Sequence, residues 1–265
     1  YADKGLRAFD RDLVGRRMFG QPIAVEVVKK LPPVRETQQP LGRHLDGCRI
    51  GFDLGGSDRK CAAVVDGKVV FSDEVVWNPY FEKDPFYHLE GIHDTLRRAA
   101  AHLPRIDAIG GSAAGVYVNS EPRVGSLYRG IAEPDFDRHI RGLFRALQKW
   151  WGGVPFEVVN DGEVTALAGS MSMKANAVLG YSMGTSVAAG YVTPDGNITS
   201  WLNELAFVPV DYRKDAPADE WSGDVGCGVQ YFSQQAVGRL LPAAGIEVPN
   251  LYAAGNNSGS PFGNL

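Results

Sequence analysis

Apolar residues recur along this chain in two rhythms: the period of two of a half-buried strand, and the three-to-four spacing of a helix face. From Arg49 onward the pattern is regular. Arg49 to Leu54 predicts a strand running into Gly55-Gly56, and Cys61 to Val65 with Lys68 to Val76 predicts a hairpin. Its turn is Asp66-Gly67, a dipeptide suited to the positive backbone angles of a tight hairpin. Leu89, Ile92, Leu96, Ala100 and Leu103 recur at helical spacing, and Ile106 to Gly110 follows as a short buried strand. A second helix aligns Phe136, Ile140, Leu143, Phe144 and Leu147. Phe156 to Val159 is the next strand, ending at Asn160-Asp161. Glu163 to Met173 predicts a helix, Ala177 to Ser182 a strand, and Val187 to Ile198 another hairpin. Val229, Phe232, Ala236 and Leu240 align on a last helix. Strands alternating with helices, with hairpins at two places, predict an α/β fold with mixed sheets. Residues 1–46 form an extension in which Pro32-Pro33 and Gln38-Gln39-Pro40 break any long element. Val25 to Val28 is its candidate strand, and linker or edge packing is the role it suggests.

The chain also repeats itself. GFDLGGSDRKCAAVVDGKVV, from Gly51, and LGYSMGTSVAAGYVTPDGNIT, from Leu179, are each strand, glycine-and-hydroxyl loop, strand, Asp-Gly turn, strand. Gly56 to Gly67 is eleven positions and Gly184 to Gly196 is twelve, as expected of a duplicated core unit. Glycines let backbone N–H groups approach a bound anion closely, and a Ser or Thr hydroxyl adds a donor. One such loop is as well explained by hairpin punctuation. Two in a repeated setting, Gly55-Gly56-Ser57 and Gly184-Thr185-Ser186, suit a polyphosphate chain held from both sides. Between them, Asp161 follows a strand and opens a helix, where α/β sheets bind ligands and where a helix cap also prefers Asn or Asp. Phosphoryl transfer to an alcohol needs a carboxylate to accept the hydroxyl proton, and Asp161 is the candidate.

Composition narrows the classes. The 265 residues are 44% hydrophobic and 22% charged with a formal charge of −4, so no basic surplus exists to neutralise nucleic-acid phosphates. Three cysteines without CxxC spacing argue against a disulfide scaffold or a cysteine-built zinc site. No apolar run reaches the ~18 residues of a membrane span, and no basic-then-apolar signal peptide opens the chain. The expectation is a soluble, reduced, cytoplasmic protein with neither nucleic acid nor membrane as partner.

These motifs, in this order, resemble a known family. Asp53-Leu54-Gly55-Gly56-Ser57 is similar to the DxGGT phosphate loop of the ROK (repressor, ORF, kinase) sugar kinases, of the sugar-kinase, Hsp70 and actin superfamily. Asn160-Asp161 resembles their sugar-binding Asn and catalytic Asp, and Met183-Gly184-Thr185-Ser186 their second phosphate loop. Asn203-Glu204-Leu205-Ala206-Phe207 falls where the family has GExGH, and Gly226-Cys227 where it has GCxE. The resemblance spans roughly Arg49 to Leu241. It implies a two-lobed, actin-like ATPase fold (ribonuclease H-like) with duplicated mixed sheets. Residues 47–158 would form a small lobe and 159–265 a large one. It further implies an ATP-dependent carbohydrate kinase that uses Mg²⁺ and forms a homodimer. Asp161 would be the general base and Asp53 would organise Mg²⁺ through water. Gly55, Gly56, Ser57, Gly184, Thr185 and Ser186 would hold phosphates. Asn160, Glu204, Ser112 and Gly115 would contact the sugar or polyol.

The departures are specific. Phe207 stands where the family has its zinc histidine, and of the cysteine cluster Cys227 alone remains, so no zinc site is expected. Val229 replaces the sugar-binding glutamate after that cysteine, and Gly125 to Gly130 replaces the family's proline-rich sugar segment. The phosphate machinery thus matches better than the sugar pocket. Two other readings stay open: a non-catalytic sugar sensor or pseudokinase, and a hydrolase or chaperone-like ATPase that activates water.

Overall fold

The structure is a computed structural model that describes residues 4, 8–184, 186–219 and 222–246. The described chain divides into two compact units, one of Arg43–Val164 and one combining the residues up to Gly42 with those from Thr165 on.

In chain order, the extension forms a helical segment over Ala8–Asp10 and Arg11–Met18 (α1) and a short strand, Gln38–Gln39 (β1). Cys48–Leu54 (β2), Asp58–Val65 (β3) and Lys68–Val76 (β4) follow, then the helix Pro85–Ala100 (α2). Next come Ala108–Ala113 (β5), the hairpin Val116–Val118 (β6) and Glu121–Val124 (β7), and a helical turn at Glu133–Asp135 (α3). Leu143–Trp150 (α4), Phe156–Asn160 (β8) and Asp161–Met173 (α5) lead into the second unit. That unit holds Val178–Met183 (β9), Val187–Val192 (β10), Ile198–Thr199 (β11) and Gln234–Ala243 (α6).

The unit of Arg43–Val164 is built on a five-stranded sheet in the order β4-β3-β2-β5-β8. β2, β5 and β8 run parallel, and β3 is antiparallel to both its neighbours. Along β2 burial alternates strictly, with Cys48, Ile50, Phe52 and Leu54 inside. Against that face pack Ile92 and Leu96 of α2 and Phe144 and Leu147 of α4, all at 2% exposure or less. Phe52 lies at the centre, 6.2 Å from the Phe144 ring and 6.0 Å from that of Phe156. Its ring occupies the space a side chain at Gly111 would need. α2 starts at Pro85 because Asp84 caps it, its carboxylate accepting from Phe86 N–H at 2.9 Å. The Asp66-Gly67 turn forms as its sequence predicts, both residues at positive φ (48° and 76°).

The other unit carries a four-stranded sheet, β1-β11-β10-β9, all antiparallel. Two expectations fail here. Val25, Val27 and Val28 are exposed and make no strand, and among the described residues no strand pairs with them to bury that alternation. The extension's strand is instead the polar Gln38–Gln39, which reaches the edge of β11. The last helix does not begin at Val229 either: a separate turn at Gly228–Gln230 ends before Ser233, which caps α6 by accepting from Gln235 N–H at 3.1 Å. Of the residues expected on its inner face, Ala236 is buried, whereas Phe232 and Leu240 are 45% and 66% exposed. In the first unit, β5 sits two to three residues later than its apolar run suggested.

Candidate active site

The C-terminal ends of β2, β5 and β8 form one edge, and register sets what stands there. Asp53 is opposite Ser112, which is opposite Val159; one residue on, Leu54, Ala113 and Asn160 share the next row. Asp53 and Ser112 therefore lie on the sheet face away from the core. On that face Gly51 and Gly110, also direct neighbours, have no atom within 4 Å of where a Cβ would stand. Extending the Asp53 row the other way, Lys60 of β3 faces Asp53 and Glu74 of β4 faces Lys60. Lys60 is exposed and pairs with Asp58; burial pulls its pKa down, but that hydrogen bond and the surrounding acids leave it raised.

Asp161 opens α5 directly after Asn160, and a reciprocal cap makes it do so. The Asn160 Oδ1 accepts from Gly162 N–H at 2.8 Å, and Glu163 Oε2 accepts from Asn160 N–H at 3.3 Å. The Asn160 Nδ2 donates to the Gly115 carbonyl at 2.7 Å. This carboxamide is thus engaged within the fold through both its oxygen and its nitrogen. Gly115 is glycine for backbone reasons: its φ is 127°, and a Cβ there would lie 2.8 Å from the Gly125 Cα.

Burial pushes the Asp161 carboxyl above the ordinary carboxylate range, and the charge of Asp53 adds to the rise. Hydrogen bonds from its own and the Gly162 backbone N–H and from Asn160 oppose it. Glu163, two residues on, is pushed up to about 7, by burial first and by Asp161 as well, against the hydrogen bond from Asn160 N–H. Two acids with raised pKa values thus stand at the edge of three parallel strands. Glu163 was not singled out from sequence, although Asn160-x-x-Glu163 is a readable capping pattern.

The Asp53–Ser57 loop is braced from one side. Gly55 N–H donates to the Asp58 carbonyl at 2.9 Å, closing the turn, and Trp77 Nε1 donates to the Gly55 carbonyl at 2.8 Å. The Tyr80 hydroxyl fills the space a Gly56 side chain would take. Ser57 Oγ donates to Asp58 Oδ2 at 2.9 Å. Neither Gly55 nor Gly56 has a positive φ; Gly56 is needed for room.

Asp53, Gly55, Gly56, Ser57, Ser112, Gly115, Asn160 and Asp161 thus all belong to the unit of Arg43–Val164. Gly184, Ser186 and Glu204 belong to the other unit, and Thr185 lies outside the described residues. Gly184 N–H donates to the Ser186 carbonyl at 3.0 Å, closing the β9–β10 turn, and among the described residues beyond its chain neighbours no atom lies within 4 Å of its would-be Cβ. Glu204 is half-buried ahead of the turn Leu205–Phe207. Cys227 sits in an apolar cluster with Val187, Ala206 and Val229, and Phe207 packs against it. No described helix is long and apolar enough to cross a membrane.

No protein-family model matches this sequence and no curated protein does. Solved structures do match. A ROK-family transcriptional regulator, a homologue of the E. coli MLC protein, aligns over 76% of this chain and 50% of its own, at TM-score 0.60 and 20% identity. A putative N-acetylmannosamine kinase from Listeria monocytogenes aligns over 76% and 65%, at TM-score 0.56 and 16% identity. An inorganic polyphosphate/ATP-glucomannokinase from Arthrobacter sp. strain KM aligns over 76% and 73%, at 0.54 and 17%. The chain spans half the length of the regulator and just under two-thirds that of the Listeria protein. The fold is therefore the mixed α/β, actin-like ATPase type. Within that type it is the fold of ROK-family kinases and regulators.

Proposed function

We propose that this chain is a divergent ROK-type, ATP-dependent phosphotransferase acting on a hydroxyl of a sugar or sugar-like polyol. The observation that carries the proposal is Asp161: a half-buried carboxylate with a raised pKa, opening α5 at the edge where β2, β5 and β8 end, beside the Asp53–Ser57 loop. A base poised nearer to neutral pH accepts a hydroxyl proton more readily than an ordinary surface carboxylate. In this reading Asp161 takes that proton and aims the oxygen at the donor's terminal phosphate. The Gly55-Gly56-Ser57 and Gly184-Thr185-Ser186 loops hold the donor's phosphates. Ser112, Glu204, Gly115 and Asn160 contact the acceptor. The kinase names among the structural relatives support the same chemistry.

The donor set also suits Mg²⁺. Asp53 offers a hard carboxylate oxygen close enough to Asp161 to raise its pKa, a repulsion that a divalent cation would relieve. Such an ion supplies neutralisation of charge on the transferring phosphates. The runner-up is a non-catalytic sugar sensor of the same fold, favoured by the regulator among the relatives.

A coupled ADP-release screen over hexoses, amino sugars and polyols separates the two. At least one compound is expected to raise ADP release, and Asp161→Asn to lower kcat by about 10²- to 10⁴-fold. Tight binding of a compound without ADP release leaves the sensor standing and removes the kinase. Full activity in Asp161→Asn removes Asp161 as the base.

A further inference from the structure

Arg129 differs from the other arginines around it. Arg59, Arg98, Arg123 and Arg141 each pair with a carboxylate. Arg129 is exposed and has no carboxylate partner among the described residues. Aromatic rings hold it instead, with its guanidinium carbon 4.2 Å from the Tyr80 ring centre and 4.9 Å from that of Phe81. The next residue fixes its backbone: a Cβ at Gly130 would lie 2.8 Å from the Phe81 carbonyl carbon, so that glycine permits the close approach. Stacking satisfies the face of a guanidinium and leaves its N–H donors for another acceptor.

The placement of this cation is what gives it meaning. Tyr80, on which it stacks, presses its hydroxyl end against Gly56 of the Asp53–Ser57 loop. On the other side, Gly125, four residues before Arg129, packs against Gly115, whose carbonyl accepts from Asn160 Nδ2, next to Asp161. Ala114 N–H donates to the Leu54 carbonyl at 3.4 Å and closes the circuit. Arg129 therefore stands on a continuous ring of contacts. These contacts link it to the glycine loop through Tyr80 and, through Gly125 and Gly115, to the cap of α5.

We propose that this rim is an oxyanion subsite, in which Arg129, on its Tyr80–Phe81 platform, grips a carboxylate or phosphate carried by the ligand of this site. The inference rests on the site being the ligand site named above, and it specifies one property of what binds there. A wholly neutral ligand would make no use of a preorganised guanidinium. A planar fork held in place loses little side-chain freedom on binding and matches an oxyanion bidentately. The anion has two sources, a phosphate of the nucleotide donor or an acid group on the acceptor, and the same chemistry serves both.

Isothermal titration of the full chain and its Arg129→Gln variant tests this with inorganic phosphate, ATP, D-gluconate and D-glucose as probes. Arg129→Gln is expected to weaken at least one of the three anions about 10- to 100-fold, with the affinity for neutral glucose unchanged within about twofold. A loss confined to ATP assigns the subsite to the donor, and one confined to gluconate assigns it to the acceptor. Tyr80→Leu, which keeps Arg129 and removes its platform, is expected to weaken the same anion by about threefold or more. Wild-type affinity for all three anions in Arg129→Gln, or no anion binding by the wild type, overturns the subsite. The kinase reading fails separately. Unchanged anion affinity with ADP formed from a neutral polyol removes only the subsite; lost anion affinity with no acceptor yielding ADP removes only the kinase.

Discussion

The two glycine loops share their punctuation and differ in what surrounds them. Gly55-Gly56-Ser57 is fixed by Trp77 from one side, filled by Tyr80 from another, and its serine is engaged by Asp58. Gly184 carries none of that packing: its N–H closes on Ser186, its carbonyl accepts from Gln234 N–H at 2.9 Å, and the space beside it is open. Glycine serves packing in the first loop, at Gly56, and leaves room in the second. A sequence repeat therefore does not imply a repeat of physical duty. The braced loop is held by contacts within its own unit, the kind of local support that transition-state positioning requires.

The largest expected effect breaks the braced side. A methyl at Gly56 meets Tyr80, its Cε2 at 2.9 Å, and the ring cannot retreat freely because Arg129 stacks on it. Gly56→Ala is expected to lose about 1–3 kcal/mol of stability by denaturant titration, as overpacking does. Adding Tyr80→Ala should restore part of that loss, a coupling read directly from the double-mutant cycle. Additive losses would mean that Tyr80 does not fill the Gly56 position.

Next in size is a dependence on pH. Glu163 is an acid whose folded pKa, about 7, lies above its ordinary 4.5. The folded state therefore holds its proton more tightly than the unfolded chain, and stability falls as pH rises from about 4.5 to about 7, levelling off above. Glu163→Gln keeps an acceptor for Asn160 N–H and removes the charge. It is expected to gain stability over the wild type at pH 8, up to about 3 kcal/mol, and almost none at pH 4. Hydrogen exchange should localise the effect to the half-site of β2, β5 and β8, leaving β9 and β10 unaffected. Equal pH dependence in wild type and variant would remove the buried acid from the account.

What the sequence made legible follows the range of the interactions. The Asp66-Gly67 turn, the alternation of β2 and the Ile92–Leu96 stripe are local signals, and the structure carries all three. Asn160 and Asp161 fell at a strand-to-helix junction in the pattern and lie there in the fold. Tyr80 against Gly56 joins residues far apart in sequence, and no periodicity announces it. The strand at Gln38–Gln39 depends wholly on the exposed edge of β11, so a polar pair became a strand while the valines before it did not. Glu163 is a different kind of miss: its capping pattern with Asn160 is local and readable, whereas the burial that raises its pKa comes from the tertiary fold.

Smaller effects sharpen the contrast between the loops. Trp77→Phe removes the indole donor to the Gly55 carbonyl while keeping an aromatic ring, and is expected to cost about 1 kcal/mol. The smallest effect on stability is expected at Gly184. Its φ is not positive and nothing crowds the position, so Gly184→Ala should stay within about 0.5 kcal/mol of the wild type, since an alanine there meets neither strain nor neighbours. If the open space beside Gly184 is where the donor's phosphates approach, the same methyl should raise the KM for ATP or weaken its binding while leaving the melting temperature nearly unchanged. That dissociation is what a ligand-facing glycine predicts and what a packing glycine, such as Gly56, cannot produce. A Gly184→Ala variant that is destabilised as much as Gly56→Ala would erase the difference between the two loops. One with wild-type stability and wild-type ATP affinity would leave the second loop as a plain hairpin turn and confine the phosphate-binding role to the first.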